Sequence, residues 1–135
     1  MKKFLIVLLV IALLITGGVV AFKTLPAPKT LSTSALFSES EIANGAKTAE
    51  KQVRNFSGVL RVLRVTYDEE KAESFLASDF ESGKRTRENT MVFFVDFATG
   101  AHTTALNPWD VYTDYAVILT RENENVPFEV TGGGY

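Results

Sequence analysis

The sequence predicts an α+β fold: an antiparallel sheet of about four strands, covered by two helices on one face and preceded by one N-terminal transmembrane or signal helix. Three observations lead to this class. The chain opens with a long uncharged run, two later segments repeat apolar residues at helical spacing, and four segments are strand-like. The last three strand segments are joined by short connections, which favour an antiparallel meander.

Residues 1–22 are predicted to be a transmembrane anchor or a signal peptide. Residues 4–22 carry no charge, and as a helix they extend roughly 28 Å, close to the hydrocarbon thickness of a bilayer. Gly17 and Gly18 are placed to break this helix before a small-residue cleavage site near Ala21, as in a signal peptide. The apolar run nevertheless continues to the end of the segment, which favours a retained anchor. The sequence leaves both outcomes open: a domain held at the membrane through residues 4–22, or a domain secreted after cleavage near Ala21.

Lysines on both sides of the apolar run bear on its orientation. Lys2 and Lys3 precede the run with the terminal amine, whereas Lys23 and Lys29 follow it. The positive-inside rule then slightly favours an inside N-terminus and an extracytoplasmic domain. Without Lys2 and Lys3, the chain has 12 basic and 16 acidic side chains. This acidic balance disfavours adhesion of the domain to an anionic lipid surface.

Residues 23–37 are predicted to be a tether between the membrane and a domain over residues 38–135. The segment contains Pro26, Pro28 and a cluster of serine and threonine, without a usable periodicity. The alternative is a first loop packed against the domain. Three apolar side chains are available for such packing: Leu31, Leu36 and Phe37.

Two helices are predicted in the domain. Ser38 and Glu41 have capping-box spacing at the start of the first helix, over residues 39–56, which also holds a Glu50–Arg54 pair at i,i+4 spacing. Its apolar stripe is Ile42, Ala46, Ala49, Val53 and Phe56. Asp68 is placed to cap the second helix, and a glycine at position 83 to end it. The stripe of the second helix is Ala72, Phe75, Leu76 and Phe80.

Four strands are predicted, over residues 59–67, 90–99, 111–121 and 127–131. In the first strand, one face is expected to hold Val59, Arg61, Leu63, Val65 and Tyr67, with Leu60 and Val62 on the other. In the second strand, the core face is expected to be Met91, Phe93, Val95 and Phe97. The glycines that follow the fourth strand fit either a flexible tail or the end of a bulged strand.

The composition excludes several classes of chemistry. Of 135 residues, none is cysteine and one is histidine. A chain without thiols forms no disulfide, zinc–cysteine site, iron–sulfur cluster or cysteine nucleophile, and one histidine cannot build a multi-histidine metal site. The net charge of -2 provides no field to attract nucleic acid. We therefore expect no metal, no cofactor and no nucleic-acid partner.

Several segments of the second half together resemble a known type of domain. They are Tyr67-Asp68-Glu69-Glu70, Phe94-Val95-Asp96-Phe97, Asn107-Pro108-Trp109, Tyr115 to Arg121, Pro127-Phe128-Glu129-Val130 and Gly134-Tyr135. Over residues 55–135 the chain resembles an uncharacterised extracytoplasmic domain of small anchored proteins and lipoproteins of Gram-positive bacteria, related to the cystatin-like and nuclear-transport-factor-like α+β rolls. Family members often have tryptophan where this chain has Phe128, and the lipoproteins have a cysteine that this chain lacks. The resemblance implies a roll and no catalytic residues.

Asp96 and His102 are the residues to consider for acid–base chemistry. Asp96 lies within an apolar strand, where an isolated carboxylate is unfavourable unless it is paired or hydrated. One interpretation is that it lines a ligand pocket with Phe94 and Ile118. The alternative is that it faces solvent or pairs with an arginine of a neighbouring strand, Arg61 or Arg64. His102 has the pKa range of a general base, and the alternative for it is an exposed loop residue.

Aromatic residues cluster where the third strand begins. Trp109, Tyr112 and Tyr115 are of the types that anchor recognition surfaces, and the alternative is that they close the end of the core. Together with Asp96 they form the predicted ligand-binding set. No catalytic residue and no metal ligand is predicted.

The leading functional hypothesis is a membrane-anchored extracytoplasmic domain that binds a protein partner or a small ligand without catalysis. One alternative is a small pocket enzyme that uses Asp96 or His102 for acid–base chemistry. The other alternative is a structural component of an envelope assembly.

Overall fold

Five strands form one mixed sheet in the computed structural model, which describes the backbone of residues 2–135 and the side chains of residues 5–135. Strands β2 to β5 are antiparallel, which confirms the predicted meander, whereas β1 pairs with β2 in parallel. The α+β class is confirmed, with one strand more than predicted. The strands, which lie side by side in chain order, are β1 (Lys29–Leu31), β2 (Val59–Tyr67), β3 (Thr90–Thr99), β4 (Val111–Thr120) and β5 (Glu129–Gly134).

The helices begin at the caps that the sequence predicts. Ser38 Oγ accepts a hydrogen bond from the Glu41 N–H at 3.3 Å, and Glu41 Oε2 accepts one from the Ser38 N–H at 2.8 Å. Asp68 accepts from the Lys71 N–H at 3.1 Å. The second predicted helix is interrupted at Leu76, whose φ of -102° departs from helical geometry. The helices are α1 (Lys2–Thr24), α2 (Glu39–Arg54), α3 (Glu69–Phe75) and α4 (Ala77–Glu81), and a 3-10 turn covers Arg87–Asn89.

The segment predicted as a tether contributes strand β1. The Pro28 carbonyl accepts a hydrogen bond from the Val65 N–H at 3.0 Å, and the Tyr67 carbonyl accepts one from the Ser32 N–H at 3.1 Å. Ala27 is buried near the start of this stretch, and Phe37 is buried at its end. Residues 27–37 therefore contact the domain, although of the three apolar side chains named for a packed loop Phe37 is buried, whereas Leu31 and Leu36 are exposed.

The helices cover opposite faces of the sheet, whereas the sequence prediction placed both on one face. Helix α2 is the crossover between the parallel strands β1 and β2, and its buried residues Ala46, Ala49 and Val53 pack on the first face. Helices α3 and α4 cover the second face. The buried residues there are Leu76, Val92, Phe94, Ala116 and Ile118. The sequence prediction did not include β1. It therefore missed the crossover connection that places α2 on the face opposite to α3 and α4.

Strand β2 corrects one face assignment. Val62 is buried in the core with Val65 and Tyr67, whereas Leu63, which the sequence prediction placed on their face, is 38% exposed. Two register shifts interrupt the pairing of β2 with β3, one between Val59 and Arg61 and one between Val62 and Arg64. Each bulge inserts an unpaired residue and reverses the inward and outward positions that follow it.

Strands β3 and β5 bear on two further predictions: the core face of the second predicted strand, and whether the C-terminal glycines form a tail or a bulged strand. The face of Met91, Phe93, Val95 and Phe97 is buried in the core, as predicted. Strand β5 continues to Gly134 and has a register shift against β4, so the glycines end a bulged strand. A Cβ on Gly133 would lie 2.8 Å from the Ala116 carbonyl oxygen. The close approach of β5 to β4 therefore requires glycine at this position.

Candidate functional site

Helix α1 is joined to the domain by hydrogen bonds at its C-terminal end. Residues 5–24 are exposed, and Leu5–Thr24 is long and apolar enough to span a bilayer, which fits a membrane anchor or a signal peptide. The Arg54 guanidinium at the end of α2 donates to the Lys23 carbonyl and, at 3.2 Å, to the Leu25 carbonyl. The last carbonyls of a helix have no partner within it. Arg54 therefore caps α1 from the domain.

Glu50 holds this junction together from within α2. Its Oε1 accepts a hydrogen bond from the Ala27 N–H at 2.9 Å and another from Arg54, and its Oε2 pairs with Lys29 Nζ at 2.7 Å. Burial alone would raise the pKa of Glu50, but the hydrogen bonds from Lys29, Ala27 and Arg54 outweigh it, so the pKa lies below its usual value. The ionised Glu50 carboxylate therefore holds the segment before β1 against α2. It also holds Arg54, which caps α1.

Asp96 is buried in a polar arrangement on the second face of the sheet. Its Oδ2 accepts hydrogen bonds from Arg64 Nε at 2.9 Å and Nη2 at 2.7 Å. Its Oδ1 accepts from the Asp114 N–H at 2.9 Å, and Asp114 has the left-handed φ of 56°. Asp96 therefore pairs with Arg64, one of the two arginines that the sequence offers, and supports a bulge in β4.

His102 lies on the exposed loop that connects β3 with β4. The structure thus places the two acid–base candidates in different settings, His102 in an open loop and Asp96 in an ion pair. Among residues 5–135, no three histidine, aspartate or glutamate side chains converge as ligands for a metal ion.

Two of the predicted aromatic residues pack together at the end of the sheet. The Tyr112 ring stacks on Phe97 with centroids 5.1 Å apart, and the Tyr115 ring meets Phe56 edge-on at 5.5 Å. Tyr135 packs against Tyr112 at 6.3 Å and against Tyr115 at 5.5 Å. Tyr112 and Tyr115 therefore close the end of the core, as the alternative for them expects, while Tyr135 covers them from outside.

Trp109 is exposed beside this aromatic cluster. Its side chain is 74% exposed, and its φ of 55° is left-handed. The loop around it is ordered by hydrogen bonds: the Trp109 N–H donates to the Gly100 carbonyl at 3.1 Å, and the Asn107 N–H donates to the Tyr112 hydroxyl at 2.8 Å. We name the exposed part of this region the basal aromatic surface. It consists of Trp109, Val111 and Tyr135.

A cleft at the opposite end of the sheet was not predicted. It has a volume of about 310 Å³ and lies between the start of α2 and the turn that connects β4 with β5. Phe128 and Pro127 supply its apolar wall, and the amide side chains of Asn44 and Asn125 supply polar groups. We name it the distal cleft. Its full lining is Glu41, Asn44, Gly45, Thr48, Arg121, Glu124, Asn125, Val126, Pro127 and Phe128.

Arg121 is the basic residue that lines the distal cleft. Its side chain is 7% exposed, and Nη1 pairs with Glu41 Oε1 at 2.6 Å while Nη2 donates to the Glu88 carbonyl at 3.1 Å. Its guanidinium carbon lies 4.5 Å from the centroid of the Phe128 ring. The Ser38 amide and hydroxyl, together with Arg121, lower the pKa of Glu41. The sequence signals for this site are the capping-box residue Glu41 and the segment that contains Thr120 and Arg121. Nothing in the sequence indicates that the two lie together in the fold.

Comparison of the chain with protein-family models, with curated proteins and with solved structures finds no significant match. The resemblance to the Gram-positive extracytoplasmic domain therefore stays a prediction.

Proposed function

We propose that the protein is a membrane-anchored, non-catalytic binding module whose domain faces the extracytoplasmic side and binds a protein partner at the distal cleft. The observation that carries this proposal is the placement of the cleft relative to α1. Arg121 follows the last residue of β4, whereas Val111 begins that strand. Val111 is opposite Ala98, which is opposite Arg61, the residue that contacts the Phe22 ring of α1. Ten residues of strand extend about 33 Å, so the cleft opens far from the end at which β4 starts.

The chemistry of the distal cleft suits recognition of a protein. Phe128 and Pro127 offer an apolar contact, and Asn44 and Asn125 add hydrogen-bonding groups beside it. An apolar centre with polar surroundings is the usual anatomy of protein interfaces. Arg121 is already paired with Glu41, so it serves to position the Phe128 ring.

The enzymatic alternative has less support. Asp96 is held by Arg64 and by the Asp114 amide, and neither Asp96 nor His102 lines the distal cleft. A general acid or base must lie within hydrogen-bond reach of its substrate.

Binding is tested with a photo-crosslinking amino acid in the full chain, produced in cells that naturally make the protein. Asn44 is exposed at the cleft, and Ser78 is exposed on α4, on the opposite face. We expect a discrete protein adduct from Asn44 that is lost in Phe128→Ala, and no such adduct from Ser78. Equal adducts from both positions would contradict the proposal, as would an adduct that survives Phe128→Ala.

Orientation is tested separately, using the absence of cysteine from the chain. In a Ser78→Cys variant the new thiol is the only one in the protein. We expect a membrane-impermeant maleimide to label it in intact cells. Labelling only after the membrane is permeabilised would place the domain on the cytoplasmic side.

A further inference from the structure

Large apolar side chains are exposed at one end of the sheet. Outside α1, the three most exposed large apolar residues in residues 25–135 are Trp109 at 74%, Tyr135 at 70% and Val111 at 57%. All three belong to the basal aromatic surface. Large apolar side chains that are left exposed at one end of a domain mark a candidate interaction surface.

The strand register places this surface beside the end of α1. Arg61 on β2 is opposite Ala98 on β3, and Ala98 is opposite Val111 on β4. The Arg61 guanidinium carbon lies 4.4 Å from the centroid of the Phe22 ring, in the last turns of α1. Adjacent strands are about 4.8 Å apart, so Val111 lies about 10 Å across the sheet from the strand that contacts α1. Trp109 precedes Val111 by two residues and lies beyond the end of the sheet.

Helix α1 enters the domain at this same end. Its exposed residues 5–24 contact the domain through the last turns, where Arg61 meets Phe22 and Arg54 caps the Lys23 carbonyl. When α1 spans a bilayer, Phe22 and Lys23 lie at the boundary between hydrocarbon and headgroups. The adjoining end of the sheet is then held against the headgroup layer.

We propose that the basal aromatic surface docks into the bilayer interface, with Trp109 inserted among the lipid headgroups next to α1. Tryptophan and tyrosine are the residues that concentrate at membrane interfaces, because each has an apolar ring and a polar group. The charges nearby are compatible with this position. Lys23 is exposed at the end of α1, where it can meet lipid phosphates, whereas Arg54 is already paired with Glu50.

The one acidic residue of the loop is also accommodated. Asp110 Oδ1 accepts a hydrogen bond from the Val111 N–H at 2.8 Å, and its Oδ2 lies 3.4 Å from Asn107 Nδ2. Docking thus presents to lipid a surface whose carboxylate is hydrogen-bonded. A protein partner is the less favoured occupant, because the surface adjoins the point where α1 enters the membrane.

The inference rests on the proposed function in one respect: α1 must be retained and must span the bilayer. Trp109 is the only tryptophan of the chain, so its fluorescence reports its own surroundings. The test uses the purified full chain in phosphatidylcholine vesicles, with and without brominated phosphatidylcholine. We expect the emission maximum of Trp109 to shift to shorter wavelength when the chain is transferred from denaturant without detergent into the vesicles. We expect the emission intensity to fall in the brominated vesicles.

The matched control moves the sole tryptophan to the other end of the sheet. A Trp109→Phe, Glu122→Trp double variant places it at an exposed turn next to the distal cleft. Its emission is expected to resemble that of tryptophan in water and to be insensitive to brominated lipid. Equal quenching of both proteins would overturn the docking.

Vesicle flotation separates the two proposals. If the native chain floats with the vesicles and Trp109 is not quenched, docking is wrong and membrane anchoring stands. If the chain does not float, anchoring and docking are both wrong. If it floats and only Trp109 is quenched, both proposals are supported.

Discussion

Replacing Glu50 by alanine is expected to loosen the junction between α1 and the domain. The carboxylate is the shared acceptor for the Ala27 amide, Lys29 and Arg54, and Arg54 in turn caps α1. Glu50→Ala leaves a buried amide without its acceptor and two cations without their counter-charge. One substitution thus removes every contact that Glu50 makes at this junction.

The expected loss of stability is about 3 kcal/mol. Removing one partner of a buried ion pair destabilises a protein by about 3–5 kcal/mol, and the lower end applies here because both cations are partly hydrated. The side chains of Lys29 and Arg54 are 24% and 28% exposed. For a domain of this size, about 1 kcal/mol corresponds to a change in melting temperature of about 4 °C. Glu50→Ala is therefore expected to melt about 12 °C below the native chain.

The assay is thermal unfolding of the full chain in detergent micelles, followed by circular dichroism. Glu73→Ala is the matched control, since it also removes a glutamate that pairs with an arginine. The Arg87–Glu73 pair is 51% and 38% exposed, so its loss is expected to change the unfolding free energy by less than about 1 kcal/mol. If Glu50→Ala melts within the range of Glu73→Ala, the role assigned to the junction is refuted.

The pH dependence of stability provides a second test of the role of Glu50. The folded-state pKa of Glu50 is below its usual value of 4.5, so its stabilising contribution is present above that value and is lost as pH falls through the lower folded pKa. We expect the difference in melting temperature between the native chain and Glu50→Gln to shrink below about pH 4. A difference that grows with acidification would contradict this assignment.

Three further substitutions test the packing by urea denaturation. Gly45→Ala places a Cβ 2.7 Å from two ring carbons of the fully buried Phe93, and is expected to lower the unfolding free energy by about 1–3 kcal/mol; an unchanged or higher value would show that the ring has room to move. Asp96→Ala removes the partner of Arg64 and should lower it by about 1–3 kcal/mol, with a smaller loss for Asp96→Asn; equal losses would assign the effect to packing instead. Gly83 has a φ of 71° and open space around it, so Gly83→Ala should lower the unfolding free energy by about 1 kcal/mol through backbone strain alone. A variant as stable as the native chain would exclude this cause.

Strand β3 shows why part of the fold was predictable from sequence. Its alternation of Met91, Phe93, Val95 and Phe97 is local, so the core face follows from the residues themselves. Strand β1 has three residues and exists only because β2 pairs with it, which no local pattern announces. The β2 bulges are similarly set by the partner strand, and because of them Val62 and not Leu63 shares the core face with Val65 and Tyr67.

The candidate sites likewise combine contacts that follow from the local sequence with contacts that only the tertiary structure creates. The Glu50–Arg54 pair follows from helical spacing, whereas Ala27 and Lys29, which complete its surroundings, lie more than twenty residues away. Arg121 and Glu41 are 80 residues apart in the chain and meet only through the tertiary structure. Sequence reasoning proposed Trp109 as a recognition residue from its type, and that role stays a prediction. That the start of β4 lies at the α1 end of the sheet follows only from the register of three strands.

The capped end of α1 has a geometric consequence for any partner. Because Arg54 ties the helix directly to α2, no free linker separates the anchor from the folded body. These hydrogen bonds oppose a swinging motion of the domain about α1. Under the proposed function, with α1 embedded in a bilayer, β4 would carry the distal cleft about 33 Å along the strand from the end of the sheet beside the lipid. A partner of the proposed kind would then have to reach that far end of the sheet, so the junction would restrict which partners can bind.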